Sequence, residues 1–445
     1  MRAHPPADGP FLPALVRLAA PGLILVVFQS AISIADTYFV GRLGTAPLAG
    51  LALVFPLVML LQMTSAGAMG GGVASAIARA LGAGDRRRAR ALVVHGLAIA
   101  LAAGLAFTAI VLGFGRPIYR LLGGEGAALE AALEYSNVLF SGAVLVWIAN
   151  TLAAVLRGSG DTLTPALVLV CASLLHIPLS GALVLGLGPF PALGIAGAAL
   201  AFVSAFALAT LVSGACVLRR TALAPRRADF GLAWREFREI LRVGALSSVS
   251  ALQTVLAAVL LTGFVGRHGT AALAGYGVGL RLELLQIPIV FAIGQALVVL
   301  VGTNVGARRP ERAKRIAFAG AAIAASACLA IGAAAALFPR IWIELFSSDA
   351  AVLEAAATYL RIVAPFYPFV GLAVSLYFAA QGAGQVAWPV AAGTARLAIV
   401  AGGGFATLAA GAPLWALFAV IALGLAVWGS FTAIAVRSAD WSLQR

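Results

Sequence analysis

The chain reads as apolar runs of helix length, separated by short turns that carry glycine, proline and arginine. A helix needs about 20 apolar residues to cross a bilayer. Runs of that kind lie near residues 13–40, 47–78, 91–113, 131–156, 162–187 and 192–218. After an arginine-rich stretch, six more lie near 236–266, 271–303, 315–338, 354–380, 387–411 and 413–437. None alternates like a barrel strand, and inside hydrocarbon each backbone group needs a partner within its own segment, so every run is predicted to be helical. The expected fold is an all-α integral membrane protein of twelve transmembrane helices. Its expected parts are an N-terminal lobe of six spans (1–218), a linker (219–235) and a C-terminal lobe of six spans (236–445).

Composition agrees with that pattern. Apolar residues make up 62% of the 445 positions and charged residues only 10%, against about 25% charged in a soluble domain. The net charge of +14 would suggest nucleic acid in a soluble protein. Here the arginines fall between the apolar runs, which points to membrane topology, and no nucleic-acid partner is expected. Arg86, Arg87, Arg88 and Arg90 follow span two, Arg219, Arg220, Arg226 and Arg227 follow span six, and Arg308, Arg309, Arg312, Lys314 and Arg315 follow span eight. Loops after odd-numbered spans carry few: Arg42, Arg116, Arg120, Arg267 and Arg340. The positive-inside rule then places both termini in the cytoplasm. Cys171, Cys216 and Cys328 lack metal or disulfide spacing and are expected to be small core residues.

The sequence also repeats. FVGRLGTAPLAG (Phe39 to Gly50) returns as FVGRHGTAALAG (Phe264 to Gly275). LGAGDRRRARALVVHG from Leu81 pairs with VGARRPERAKRIAFAG from Val305, LEAALEY from Leu129 with LEAAATY from Leu353, and RGSGDTLTP from Arg157 with QGAGQVAWP from Gln381. The last three pairs share an offset of 224 residues. Duplicating a unit with an even number of helices preserves its orientation, so two lobes related by a pseudo-two-fold axis along the membrane normal are expected.

In order and spacing these blocks resemble the multidrug and toxic compound extrusion (MATE) family of antiporters over nearly the whole chain. The carriers are Pro21 and the DTYFVG segment from Asp36, the RGSGDT loop, and GLGPFPALGIAGAALA from Gly186. In the second half they are YGVGLRLELLQIP from Tyr276 and VGTNVGARRPERAKR from Val301. Asp36 and the GLRLE segment look most like the DinF-type branch. The resemblance implies alternating access by two six-helix lobes, with export of organic cations or amphiphilic drugs in exchange for protons, ahead of sodium. The implied partners are small amphiphilic molecules and the bilayer, the implied form is a monomer, and no cofactor beyond the coupling ion is expected.

Asp36 is the leading candidate for the cation-coupling site. A carboxylate inside a span costs about 2.5 to 3.5 kcal/mol even on the insertion scale, so its retention points to function. The plain alternative is an interfacial cap, because Gly41 and Arg42 follow closely. Its repeat counterpart is Leu261, which confines the acid to the first half. The family's use of the matching acid adds to this reading. His176 and Ser180 lie four residues apart on one helical face, where related sequences commonly carry Asn followed by Asp or Asn. Losing that second carboxylate disfavours sodium, although His176 is itself titratable; a structural, hydrogen-bonded histidine is an equal reading.

Asn137 and Asn150 are candidates for the same cavity or for helix-to-helix hydrogen bonds. Arg281, Glu283 and Gln286 lie well inside span eight, where Arg281 and Glu283 should engage different helices, either as a structural network or in transport. Gln253 stands where another branch of the family tends to carry Glu, so that branch's second-half site is not supported. Arg361 and Arg396 read as structural or snorkelling residues. Pro21 is either a hinge or a static kink, and Gly70, Gly71 and Gly72 either break span two or allow close packing, with packing preferred.

The alternatives are a lipid or polysaccharide-precursor flippase of the same superfamily, an intramembrane enzyme, or a scaffold. No metal-binding, nucleophile-elbow or Walker pattern is present to support an enzyme or direct use of ATP. A scaffold leaves Asp36 unexplained.

Overall fold

The computed structural model describes residues 11–442, and every regular element among them is helical. The elements are α1 (Phe11–Gly41), α2 (Thr45–Gln62), a π-helical turn (Met63–Met69), α3 (Gly70–Gly82), α4 (Arg86–Leu121), α5 (Gly126–Ser141), α6 (Ala143–Gly158), α7 (Leu163–Leu185) and α8 (Ile195–Arg220). They continue as α9 (Trp234–Gly266), α10 (Thr270–Gly306), α11 (Pro310–Leu337), the short α12 (Pro339–Ile343), α13 (Ala350–Val363), α14 (Tyr367–Ala383), α15 (Ala387–Ala409) and α16 (Leu414–Ser438). Among the described residues ten helical stretches, α2 to α3 and α13 to α14 each counted as one, are long and apolar enough to cross a membrane, and the pair α5/α6, bent by 49°, makes an eleventh span. The 31-residue α1 is the twelfth.

Several spans are less regular than their apolar patterns suggest. The second is interrupted by the π-helical turn, where the Thr64 and Ser65 hydroxyls donate to the carbonyls of Leu60 and Leu61, each at 2.6 Å. The fourth bends at Gly142, and the tenth passes through a 3₁₀ turn, Ala364–Phe366, that contains a proline. Such irregular backbone is tolerated inside a membrane protein where neighbouring helices cover it. The Gly70 to Gly72 run does not break the span but opens α3. A Cβ on Gly72 would lie 2.9 Å from the Ile240 carbonyl, so its role is to let α9 approach.

The contacts divide the chain into two compact units. One is Ala20–Ala245, and the other runs from Leu246 onward and includes residues 11–19. The division falls ten residues beyond the predicted linker because α9 opens against the first unit, with Gly244 packed on Met69 and Glu239 bonded to Arg79. Residues 11–19 group with the second unit because Leu15, Leu18 and Ala19 are buried in its core.

The internal repeat reappears as packing within each unit. α6 packs on α3, α4 and α8, and α14 packs on α10, α11 and α16. The loops before α2 and α10 turn on Gly44 (φ 118°) and Gly269 (φ 105°), a left-handed conformation that favours glycine. A Cβ on Gly50 would lie 2.8 Å from that of Ala131, and one on its counterpart Gly275 would lie 2.7 Å from that of Ala355. Of the cysteines only Cys328 is buried; Cys216 is half-buried and Cys171 exposed. The expectation that all three are core residues fails because an apolar span has no intrinsic inward face.

Candidate functional site

The site forms where the C-terminal part of α1 meets α7. Gly181 allows the approach: a Cβ there would lie 2.8 Å from the Phe39 ring. His176 and Ser180 project from one face of α7, one turn apart, with Pro178 between them. Asp36 faces both and is 7% exposed, while His176 and Ser180 are fully buried. His176 Nε2 lies 2.9 Å from Asp36 Oδ1 and 3.0 Å from Oδ2, and the Ser180 hydroxyl donates to Oδ1 at 2.7 Å. The edge of Phe202 closes the far side of the imidazole, with ring centroids 6.3 Å apart. Tyr135 of α5 is buried close enough for its phenol to feel the Asp36 charge.

This geometry constrains the protons. His176 Nδ1 is buried and makes no hydrogen bond among the described residues. A buried N–H or positive charge without a partner costs more than an unused lone pair. The arrangement therefore favours neutral His176 with its proton on Nε2, donated to an ionised Asp36. That state carries one net negative charge. One added proton neutralises the site, wherever in the pair it resides.

The other candidates fall elsewhere. Asn150 donates to Gln62 Oε1 (3.0 Å) and to Ser65 Oγ (2.8 Å), tying α6 to the irregular part of span two. Asn137 is exposed on α5. In the second unit Gln253 donates to Thr394 Oγ1 at 2.8 Å. Arg281 is exposed, with its guanidinium 5.1 Å from the Phe346 ring centre. Glu283 accepts a hydrogen bond from the Tyr359 hydroxyl at 2.9 Å, so the two charges do engage different elements. Gln286 is fully buried, and neither of its amide atoms is bonded among the described residues. Arg396 lies 4.7 Å above the Trp428 ring, near Glu283. Pro21 is buried within α1, two residues past the point where the contacts pass from one unit to the other.

Four side chains were missed in the sequence. Gln62 and Ser65 precede and enter the π turn, and their spacing of three was the available signal. Tyr135 and Tyr359 are repeat counterparts; Tyr135 stands near the buried Asp36, and Tyr359 bonds the half-buried Glu283. The acids come from different helices, so the repeat could not have paired them.

Comparison with known proteins agrees with this architecture. A FAD transporter of Shewanella oneidensis is 26% identical over 372 residues, 83% of this chain and 82% of that protein. A probable multidrug resistance protein NorM of Thermotoga maritima is 27% identical over 381 residues, 84% of this chain and 81% of that one. A crystal structure of MATE in the bent conformation superposes with a TM-score of 0.90 at 27% identity, covering 97% of this chain and 96% of the other. The MatE family profile matches residues 21–181 and 247–403, one segment in each half and more than two-thirds of the chain together. This chain therefore belongs to the MatE family, the multidrug and toxic compound extrusion transporters, and is a multi-pass membrane transporter with twelve helices in two lobes.

Proposed function

We propose that the protein is a proton-coupled antiporter of a prokaryotic inner membrane, a monomer with both termini in the cytoplasm, that exports small amphiphilic or cationic molecules by alternating access. The observation that carries this reading is the buried Asp36, His176 and Ser180 triad, in which a carboxylate, an imidazole and a hydroxyl are joined by hydrogen bonds. A ligand moves a conformational equilibrium only by its differential affinity for the two states. Protonation removes the charge that holds His176 and Ser180 around Asp36. The α1 to α7 contact thereby becomes the element on which the proton acts, with Pro21 as the hinge of α1. Sodium fits less well: the site offers one carboxylate, one hydroxyl and an imidazole, and a hard cation prefers an all-oxygen shell. The acid Asp36 on α1, together with glutamine at position 253, favours the DinF-like branch.

Asn137, Asn150, Gln253, Arg281, Glu283 and Gln286 are the polar positions proposed to line the substrate path. The name of the Shewanella relative supports a second reading, in which the substrate is a flavin nucleotide. Purified protein in proteoliposomes, given a proton gradient or a sodium gradient separately, decides between the ions. A cationic dye and FAD offered in parallel decide between the substrates. Export of dye driven by sodium alone overturns the proton reading, and export of FAD without dye overturns the multidrug reading.

A further inference from the structure

The segment joining α8 to α9 is pinned to its own lobe by specific bonds. Asp229 accepts from Arg90 Nε and from the Arg226 amide, each at 2.8 Å. The Ala233 amide donates to His95 Nε2 at 2.9 Å, while His95 Nδ1 lies 2.7 Å from the Ala91 carbonyl. An accepting Nε2 requires the proton on Nδ1, so His95 is neutral and bridges the linker to α4. Phe237 sits edge-on to that imidazole, with centroids 4.6 Å apart, and Leu223 of the same segment is buried. The cavity of about 300 Å³ under the segment is lined by three arginines and three carboxylates, which leaves it without a preferred ligand charge.

The outer face of the same segment is apolar. Phe230, Leu232 and Trp234 stand at alternate positions and are 61%, 62% and 72% exposed. With Asp229 and the Ala233 amide turned inward, the pins that hold the segment also hold these three side chains outward. Arg227, Arg235 and Arg238 flank them in the chain and are exposed, and Asp229 is already neutralised by Arg90, leaving Glu236 as the nearby opposing charge in the chain. The segment joins the end of α8 to the start of α9, two helices long and apolar enough to cross a membrane, which brings it next to the bilayer surface.

We infer that this face is a built interfacial anchor. Phe230, Leu232 and Trp234 insert among the upper acyl carbons of the adjoining leaflet, and the arginines engage anionic phospholipid headgroups. Aromatic side chains favour the membrane interface, and arginines next to them are attracted to a negative surface. A soluble protein partner is the competing occupant of an exposed apolar patch.

The test uses the full chain in nanodiscs of phosphatidylcholine or of phosphatidylcholine with phosphatidylglycerol, where one lipid at a time is brominated high on its acyl chain. The difference in emission between the wild type and Trp234→Phe isolates Trp234. That component is expected to be quenched by both brominated lipids, several-fold more strongly when phosphatidylglycerol carries the bromine. Replacing Arg227, Arg235 and Arg238 with Gln should abolish the preference while quenching itself persists. Quenching by aqueous iodide with none by brominated lipid overturns the anchor. Equal quenching by the two lipids in the wild type overturns the anionic part of the inference.

Discussion

His176 meets Asp36 through a single ring nitrogen, Nε2, which lies 2.9 and 3.0 Å from the two carboxylate oxygens, while its other nitrogen is buried without a hydrogen bond among the described residues. Under the proton-coupled proposal this pair is the proton site, and protonation acts on the lobe through the α1 to α7 contact.

Asp36→Asn keeps the size of the side chain and most of its bonding but removes the titration. The variant is expected to insert and fold with wild-type thermal stability, yet to lose proton-driven efflux down to the level of empty liposomes. Ser180→Ala removes one neutral donor worth about 1 kcal/mol, so its efflux should fall only a few-fold. Wild-type efflux by Asp36→Asn under a proton gradient would refute the site and make Glu283 the next candidate.

Removing His176 leaves the carboxylate with the Ser180 hydroxyl as its remaining hydrogen bond in the triad. Residues that act as a unit are not additive. His176→Ala alone should therefore lower efflux strongly, and should add little on the Asp36→Asn background. Multiplying effects in the double variant would show that the two act independently.

The repeat makes a packing prediction in each lobe. A Cβ on Gly158 would lie 2.7 Å from the Ala74 carbonyl oxygen, and one on Gly382 would lie 2.6 Å from that of Val298. Each Gly→Ala change forces two helix backbones apart, at about 1–3 kcal/mol. Melting in detergent should fall by similar amounts for both. A neutral result at one position would mean that the approach there is looser than described.

Gln286 buries an amide whose two polar atoms make no hydrogen bond among the described residues. An unsatisfied buried polar group costs about 1–3 kcal/mol, so Gln286→Met should raise the melting temperature. If the residue contacts substrate, efflux falls at the same time. Lower stability would mean that the amide is bonded in the native membrane.

The linker supplies a pH prediction outside the membrane. Burial by itself would raise the Asp229 carboxyl, but bonds from Arg90 and the Arg226 amide, with the charges of both arginines, outweigh it and hold the group below its ordinary value. A carboxylate depressed in the folded state contributes stability above its unfolded pKa of about 3.9 and loses that contribution as pH falls through the folded value. Protease sensitivity between Arg219 and Trp234 should therefore be flat from neutral pH to about pH 5, and rise only in stronger acid. Asp229→Asn should be sensitive at neutral pH. Equal sensitivity of Asp229→Asn and the wild type at neutral pH would show that the carboxylate does not hold the linker.

The sequence by itself determined the helices and their duplication. Run length, set by bilayer thickness, specified the spans, and the equivalent glycines Gly44 and Gly269, or Gly50 and Gly275, turn and pack alike in the two units because the same backbone conformations and close approaches recur. Asp36 stood out because a carboxylate in an apolar run is costly wherever it points. What only the tertiary structure decided is which faces meet: that His176 and Ser180 close on Asp36, that Cys171 turns outward, that residues 11–19 join the second unit's core, and that Asp229 and Ala233 pin the linker. In a soluble helix the contrast between core and water marks the inward face. Lipid is as apolar as the lobe interior, so that contrast is missing, and inward orientation is set by helix-to-helix packing and polar bonds between residues far apart in the chain.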